Sequence, residues 1–360
     1  MICQLLTETS TKIPGVSGNK PVIMLVNDSH ICVKISLYGA TVTEVQLPDK
    51  IGNFKNIALS LSSPSEYVGG SSYAGATLGP NAGRIRGGEL CIGDETYSLS
   101  RNDRGSQLHG GIENFSYAVW TVLQTEAGGD KAFVTLGLDA ADGLDGYPGN
   151  RRISVTYTLD NSNSLTISYR AETDKPTWMN LSNHTYWNLS GDFSKSAADL
   201  ALQINADSVI YNDTLDLPLD FHAVGNTPFD FRTPRAIREQ LAAYPDEGQI
   251  AMSRGYNNAY VLRDRTSDGS VPAAVLTDRE SGRRVSVFTD YPSLVFYSGG
   301  YLDKNITLAG GIPCTPSCAV ALEAQEFPDA LHLPDVPHPI LYPGKLLQRT
   351  IRFAFDTVDA

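Results

Sequence analysis

The 360-residue sequence is short of positive charge: 28 Lys and Arg face 40 Asp and Glu, for a formal net charge of -12. Nucleic acid and an anionic membrane surface are therefore poor main partners, because the chain as a whole would be repelled. A neutral ligand fits better. No run of about 18 apolar residues offers a membrane span. The opening MICQLLTETSTKIPG lacks the basic-then-apolar pattern of a secretory leader, so a cytoplasmic protein is expected. Five cysteines are too few and too scattered for a disulfide framework. The one close pair, Cys314 and Cys318, has no second Cys/His pair at zinc-site spacing. GK[ST], HExxH and GxSxG are all missing, which removes the phosphate loop, the helical zinc pair and the nucleophile elbow. Strands alternating with long helices are missing too, and that argues against doubly wound and TIM-barrel enzymes.

What is present is β-patterned. Ile31–Leu37 alternates apolar and polar residues, and Thr41–Leu47 resumes the pattern after Tyr38, Gly39 and Ala40. Gly88–Ser100 reads as two short strands about Gly93 and Asp94, and Ala118–Leu123 with Ala132–Leu138 reads as a hairpin around Gly128, Gly129 and Asp130. Arg152–Leu159 and Leu165–Arg170 flank a turn at 160–163, while Ala273–Thr277 and Arg284–Thr289 flank one at 280–282. Short strands at this spacing predict a large antiparallel β-sandwich, all-β, in one domain over 1–360. Helix signals are two: a turn at Ser63–Glu66, and a helix capped by Thr233, started by Pro234 and ending near Ala243.

Chemistry concentrates in NLSNHTYWNLSG, Asn180–Gly191, where Asn180, Asn183 and Asn188 surround His184 together with hydroxyls, Tyr186 and Trp187. So many amides and hydroxyls either hydrogen-bond a polyhydroxylated ligand or bond their own backbone as a polar loop. His109 stands in LHGG, whose glycines would let backbone approach a ligand closely. His30, His222, His332 and His338 have less telling company. Glu323 follows the apolar run Cys318–Leu322. Directed into an apolar wall it would have a raised pKa suited to proton abstraction, whereas directed outward it would be a solvated residue of a half-buried strand. Arg84, among Gly83, Gly87 and Gly88, could fork onto vicinal hydroxyls or a carboxylate.

Eight strings occur in order: YGA (Tyr38–Ala40), AGRI (Ala82–Ile85), LHGG (Leu108–Gly111), GYPG (Gly146–Gly149), NLSNHTYWNLSG, TPFDFR (Thr227–Arg232), FYSG (Phe296–Gly299) and LEAQEFPDALH (Leu322–His332). Together, over nearly the whole chain, they resemble the aldose 1-epimerase (galactose mutarotase) family. The resemblance implies interconversion of the α and β anomers of a free hexose or related aldose, with no cofactor and no metal. It makes His184 the general acid and Glu323 the general base, with Arg84, His109, Tyr186 and Asn257 on the sugar. It implies a small-molecule sugar as partner, for a monomer or homodimer. Three positions depart from the family pattern: Gly83 where NRI is frequent, Asn257 where an Asp is frequent in GxDHxY, and Val295 where Gln often precedes the FYTG-like string. Two rivals stand beside this reading. A hexose-phosphate mutarotase would need a cluster from Arg84, Arg86, Arg101, Arg104, Arg151 and Arg152, and a non-catalytic sugar-binding protein would draw on the three departures. A glycosidase would want a second carboxylate across the bond.

Overall fold

The computed structural model describes residues 1–6, 22–70, 72–244, 246–265 and 270–358, so most of the opening stretch read for a leader lies outside it. Strand Arg151–Asp160 shows how the sequence builds the fold: Ile153, Val155, Tyr157 and Leu159 are buried, and the residues between them face outward. Each such side chain contributes about 1.5–3 kcal/mol by leaving water. The strand pairs antiparallel with Lys131–Ala140 on one side and Ser164–Thr173 on the other. Leu347–Thr357 and Arg283–Thr289 carry the ladder onward into a nine-stranded sheet. A six-stranded antiparallel sheet runs Tyr186–Trp187, Val320–Gln325, Ser293–Tyr297, Asn257–Leu262, Ala206–Asn212 and Pro218–Ala223. A five-stranded sheet from Ile2–Leu6 to Phe54–Asn56 completes the packing.

One apolar core joins the three sheets. Val155 and Phe353 of the nine-stranded sheet, Val33 and Ile35 of the five-stranded sheet, and Phe296, Leu322 and Ala324 of the six-stranded sheet belong to a single cluster. This is the antiparallel sandwich that the strand spacing predicts. The core lies on one face of the six-stranded sheet, and on the other face Ala259, Val295 and Tyr297 join smaller apolar clusters and line a cavity.

Two boundaries differ from the sequence reading. The hairpin about Gly129 is made by Thr121–Gly128 and Lys131–Ala140, so its first strand begins and ends later than Ala118–Leu123. The helix begins at Ile237 and not at Pro234. Arg235 and Ala236 pair with Leu202 and Ala201 at the edge of the nine-stranded sheet, and that ladder holds in extended form the residues that Thr233 and Pro234 would have started as a helix. A further short helix, Gly248–Met252, follows. Among the described residues no helix is long and apolar enough to cross a membrane.

Candidate active site

Every residue of Val320–Gln325 is buried, so the outward, solvated placement of Glu323 does not occur. The strand is flanked by Tyr186–Trp187 and Ser293–Tyr297 and covered on both faces. Leu322 and Ala324 enter the core. Glu323 and Gln325 therefore point the other way, into a cavity of about 360 Å³ lined also by Arg84, His109, His184, Tyr186, Asn257 and Val295. All six residues expected at the site, Asn257 among them, thus share one cavity with the other two departures from the family pattern, Gly83 and Val295.

His184 Nε2 lies 3.5 Å from Glu323 Oε1, and both side chains are about 95% buried. The asparagines around His184 bond backbone. Asn183 donates to Gly75 O and accepts from the Thr185 amide and hydroxyl, while Asn180 donates to Ala82 O and accepts from the Glu326 amide. Asn188 donates to Cys318 O just before the strand that carries Glu323. The backbone of His184 is itself tied down, its N–H donating to Ala76 O and its carbonyl accepting from Gly75 N. Asn183→Ala is accordingly expected to lower stability by about 1–3 kcal/mol through the buried partners it orphans. Chemical unfolding followed by tryptophan fluorescence measures this, and an unchanged midpoint would refute it.

Burial is the main perturbation of both titratable groups. It pushes the Glu323 carboxyl up to about 8, opposed by the Arg84 guanidinium. It pulls the His184 imidazole down to about 4, with only its own backbone carbonyl favouring the charged ring. Val295 sits directly opposite Glu323 in the ladder, so the departure from Gln puts an apolar neighbour beside the carboxyl. Tyr186 stacks on His184 with ring centroids 4.6 Å apart, and its hydroxyl donates to Ser72 O. Tyr186 therefore fixes the imidazole plane and meets the cavity with its ring.

His109 is placed by glycine. Its own φ is 50°, and Gly110 follows at φ 86° with no room for a Cβ, which would lie 2.1 Å from Gly79 O. Gly83 N donates to His109 Nδ1 at 3.1 Å, and His109 N donates back to Gly83 O. Gly83 has φ 79°, and a Cβ there would lie 3.1 Å from Pro328 Cβ, so glycine suits a close approach that the frequent Asn would crowd. One ligand atom from each of His109, His184 and Glu323 falls within 4.8 Å of the others, close enough to share a metal ion. The Gly83 bond speaks against that use: a lone pair on Nδ1 leaves the proton on Nε2, which then donates and cannot ligate as a neutral imidazole.

Sequence reasoning named Arg84, and Arg104 only for a phosphate site, but it missed Asp103 and Asp216, which hold those two arginines at the cavity wall, and it missed Tyr297 and Tyr301. Of these only Tyr297, inside FYSG, carried a signal. Two adjacent asparagines also divide their work: Asn257 lines the cavity, and Asn258 is buried and donates to Ile210 O.

A family model described as aldose 1-epimerase matches residues 21–354. The chain belongs to the aldose 1-epimerase family. It is similar to the aldose 1-epimerase of Escherichia coli K12, 31% identical over 98% of this chain and 99% of that one, and to the galactose mutarotase of Mus musculus, 31% identical over 96% of each. Among solved structures, the galactose 1-epimerase of Lactobacillus acidophilus superposes with a TM-score of 0.85 at 32% identity, covering 99% of both chains. An aldose epimerase homologue from C. elegans gives 0.85 at 27% identity, over 94% of this chain and all of that one. As a member of the aldose 1-epimerase family the chain is an isomerase, and the sandwich described above is that family's fold.

Proposed function

We propose that this cavity opens and recloses the ring of a neutral aldose, with Glu323 as general base and His184 as general acid. The observation that carries the assignment is the 3.5 Å approach of two buried proton carriers in one sugar-sized cavity. Glu323 takes the proton of the anomeric hydroxyl as His184 gives one to the ring oxygen, and the ring opens to the aldehyde. Rotation about the C1–C2 bond and reclosure on the other face give the second anomer. His109 Nε2–H and the free donors of Arg84 supply hydrogen bonds to sugar hydroxyls, and Asn257 supplies an uncharged acceptor and donor.

The two pKa values bear on the resting state. Between about 4 and about 8 the pair holds a single proton, and burial places it on Glu323. The reactive tautomer has moved it to His184, where the carboxylate gains the Arg84 field and a hydroxyl to bond. A second proton leaves no base, and loss of the only one leaves no acid. kcat/KM should therefore be level between about 4 and about 8 and fall about tenfold per pH unit outside. A profile with no alkaline fall, or with limbs meeting near neutrality, would contradict the pair.

The six arginines required by a phosphorylated sugar do not cluster. Arg86 pairs with Asp213 and Asp329, Arg101 with Glu89, and Arg152 with Asp139, while Arg151 is buried against Gly149 O and Ala141 O. Only Arg84 and Arg104 reach the cavity, each already paired with aspartate. The shared core supports one domain over the chain, and the five free thiols fit the reducing cytoplasm. The test is polarimetry of freshly dissolved galactose, glucose, xylose and arabinose, galactose being the sugar in the names of several relatives. Accelerated mutarotation is expected for at least one of them. Binding without acceleration would favour a carrier protein and overturn the catalytic reading.

A further inference from the structure

Four charges close a ring at the cavity wall. Arg84 Nε donates to Asp103 Oδ2 at 2.7 Å, and Arg104 contacts the same carboxylate at 3.3 Å. Arg104 Nη2 donates to Asp216 Oδ2 at 2.7 Å, and Arg84 Nη2 lies 4.0 Å from that oxygen. Asp216 anchors the arrangement from a turn between Ala206–Asn212 and Pro218–Ala223. The turn is drawn tight by Asp213 Oδ1, which accepts from the amides of Leu215 and Leu217, and Asp216 sits in it at φ 58°. Its side chain is 1% exposed, yet it accepts from Ser253 Oγ at 2.6 Å and from Tyr301 OH at 3.3 Å. Burial opposes its charge, but the Ser253 hydroxyl and the Arg104 and Arg84 guanidiniums outweigh burial and hold its carboxyl below the usual range.

Two cations and two anions leave this wall neutral. A guanidinium, whether half-buried like Arg84 or more exposed like Arg104, attracts an anion most while its own charge is unspent, and a like charge brought beside a carboxylate is repelled. We infer that Asp216 is a specificity-determining residue: acting through Arg104 and Arg84, it reserves the cavity for uncharged aldoses and excludes sugars bearing a carboxylate or phosphate. It is a positioning residue in this role, since its oxygens are engaged by protein donors and are not free for substrate. The inference rests on the aldose reading above and names the chemical class within it.

The test compares the full-length protein with its Asp216→Asn and Asp216→Glu variants on galactose and on galacturonate, by polarimetry and by calorimetric dissociation constants, at low and moderate salt. The wild type should prefer the neutral sugar. Asp216→Asn leaves a surplus guanidinium charge at the wall, and should narrow that preference by about tenfold, on the order of one lost charge repulsion at a partly solvated wall, more so at low salt. Asp216→Glu should restore the preference at least in part. A fold defect would weaken both sugars alike, so the ratio is the readout, and an unchanged ratio in Asp216→Asn overturns the proposal. Should that variant not fold, Arg104→Gln tests the same ring with the opposite sign: its surplus carboxylate should widen the preference, and failure to do so overturns the proposal equally. A wild type that binds galactose but does not turn it over would sink the acid–base reading alone, because the dissociation constants still give the ratio that judges Asp216.

Discussion

Glu323→Gln is expected to lower kcat for anomer interconversion by about 100-fold to 10,000-fold, the usual contribution of one positioned proton carrier. The amide is nearly isosteric, so the strand Val320–Gln325, its pairing with Ser293–Tyr297 and the apolar neighbour Val295 are all retained. What is lost is the ability to accept and return a proton. Stability should hold or rise slightly, because a carboxyl that burial pushes up to about 8 is costly to ionise in the fold and the amide avoids that cost. Glu323, with its folded pKa above the unfolded value, favours the fold most below the unfolded carboxyl pKa and loses that contribution as pH rises through about 8. The difference between wild type and variant should accordingly grow toward alkaline pH. Polarimetry together with thermal unfolding at two pH values reads both effects. Substantial residual activity in a folded variant would remove Glu323 from the reaction.

How much of this was legible differs by residue. The alternation of Arg151–Asp160 translated directly into buried and exposed faces because one face of that strand is packed and the other is not. The same logic could not place Glu323, since an apolar run followed by Glu fits either a half-solvated strand or one covered on both faces, and only the pairing partners decide between them. The polar run at His184 was readable as a site, but its asparagines serve the backbone, which composition does not distinguish from ligand binding. Thr233 and Pro234 looked like a helix start, and a ladder with residues 201–202 overrode that local preference. The charge ring was the least visible part. Arg84 stood out among its glycines, but its partners come from distant turns near 103–104 and 216 and are ordinary surface residues by type until the chain is folded.

His184→Asn should lower kcat by a comparable factor, about 100-fold to 10,000-fold, for a different reason. Asn at 184 still offers a donor to the ring oxygen but has no proton to surrender, so the leaving oxygen develops charge uncompensated. The backbone bonds of residue 184 to Gly75 and Ala76 do not depend on the side chain, and the cost to stability comes from lost ring contacts with Tyr186, His109 and Tyr297, about 0.5–1.5 kcal/mol for the Tyr186 stack. The decisive measurement is the double variant with Glu323→Gln. If His184 and Glu323 share one proton across 3.5 Å, either single change already stops its circulation between hydroxyl and ring oxygen. The second change then has little left to remove. The double variant should lie within about tenfold of the slower single variant, not at the product of the two losses. Multiplicative losses would mean that the residues act independently, and the one-proton pair would have to be abandoned even with both remaining catalytic.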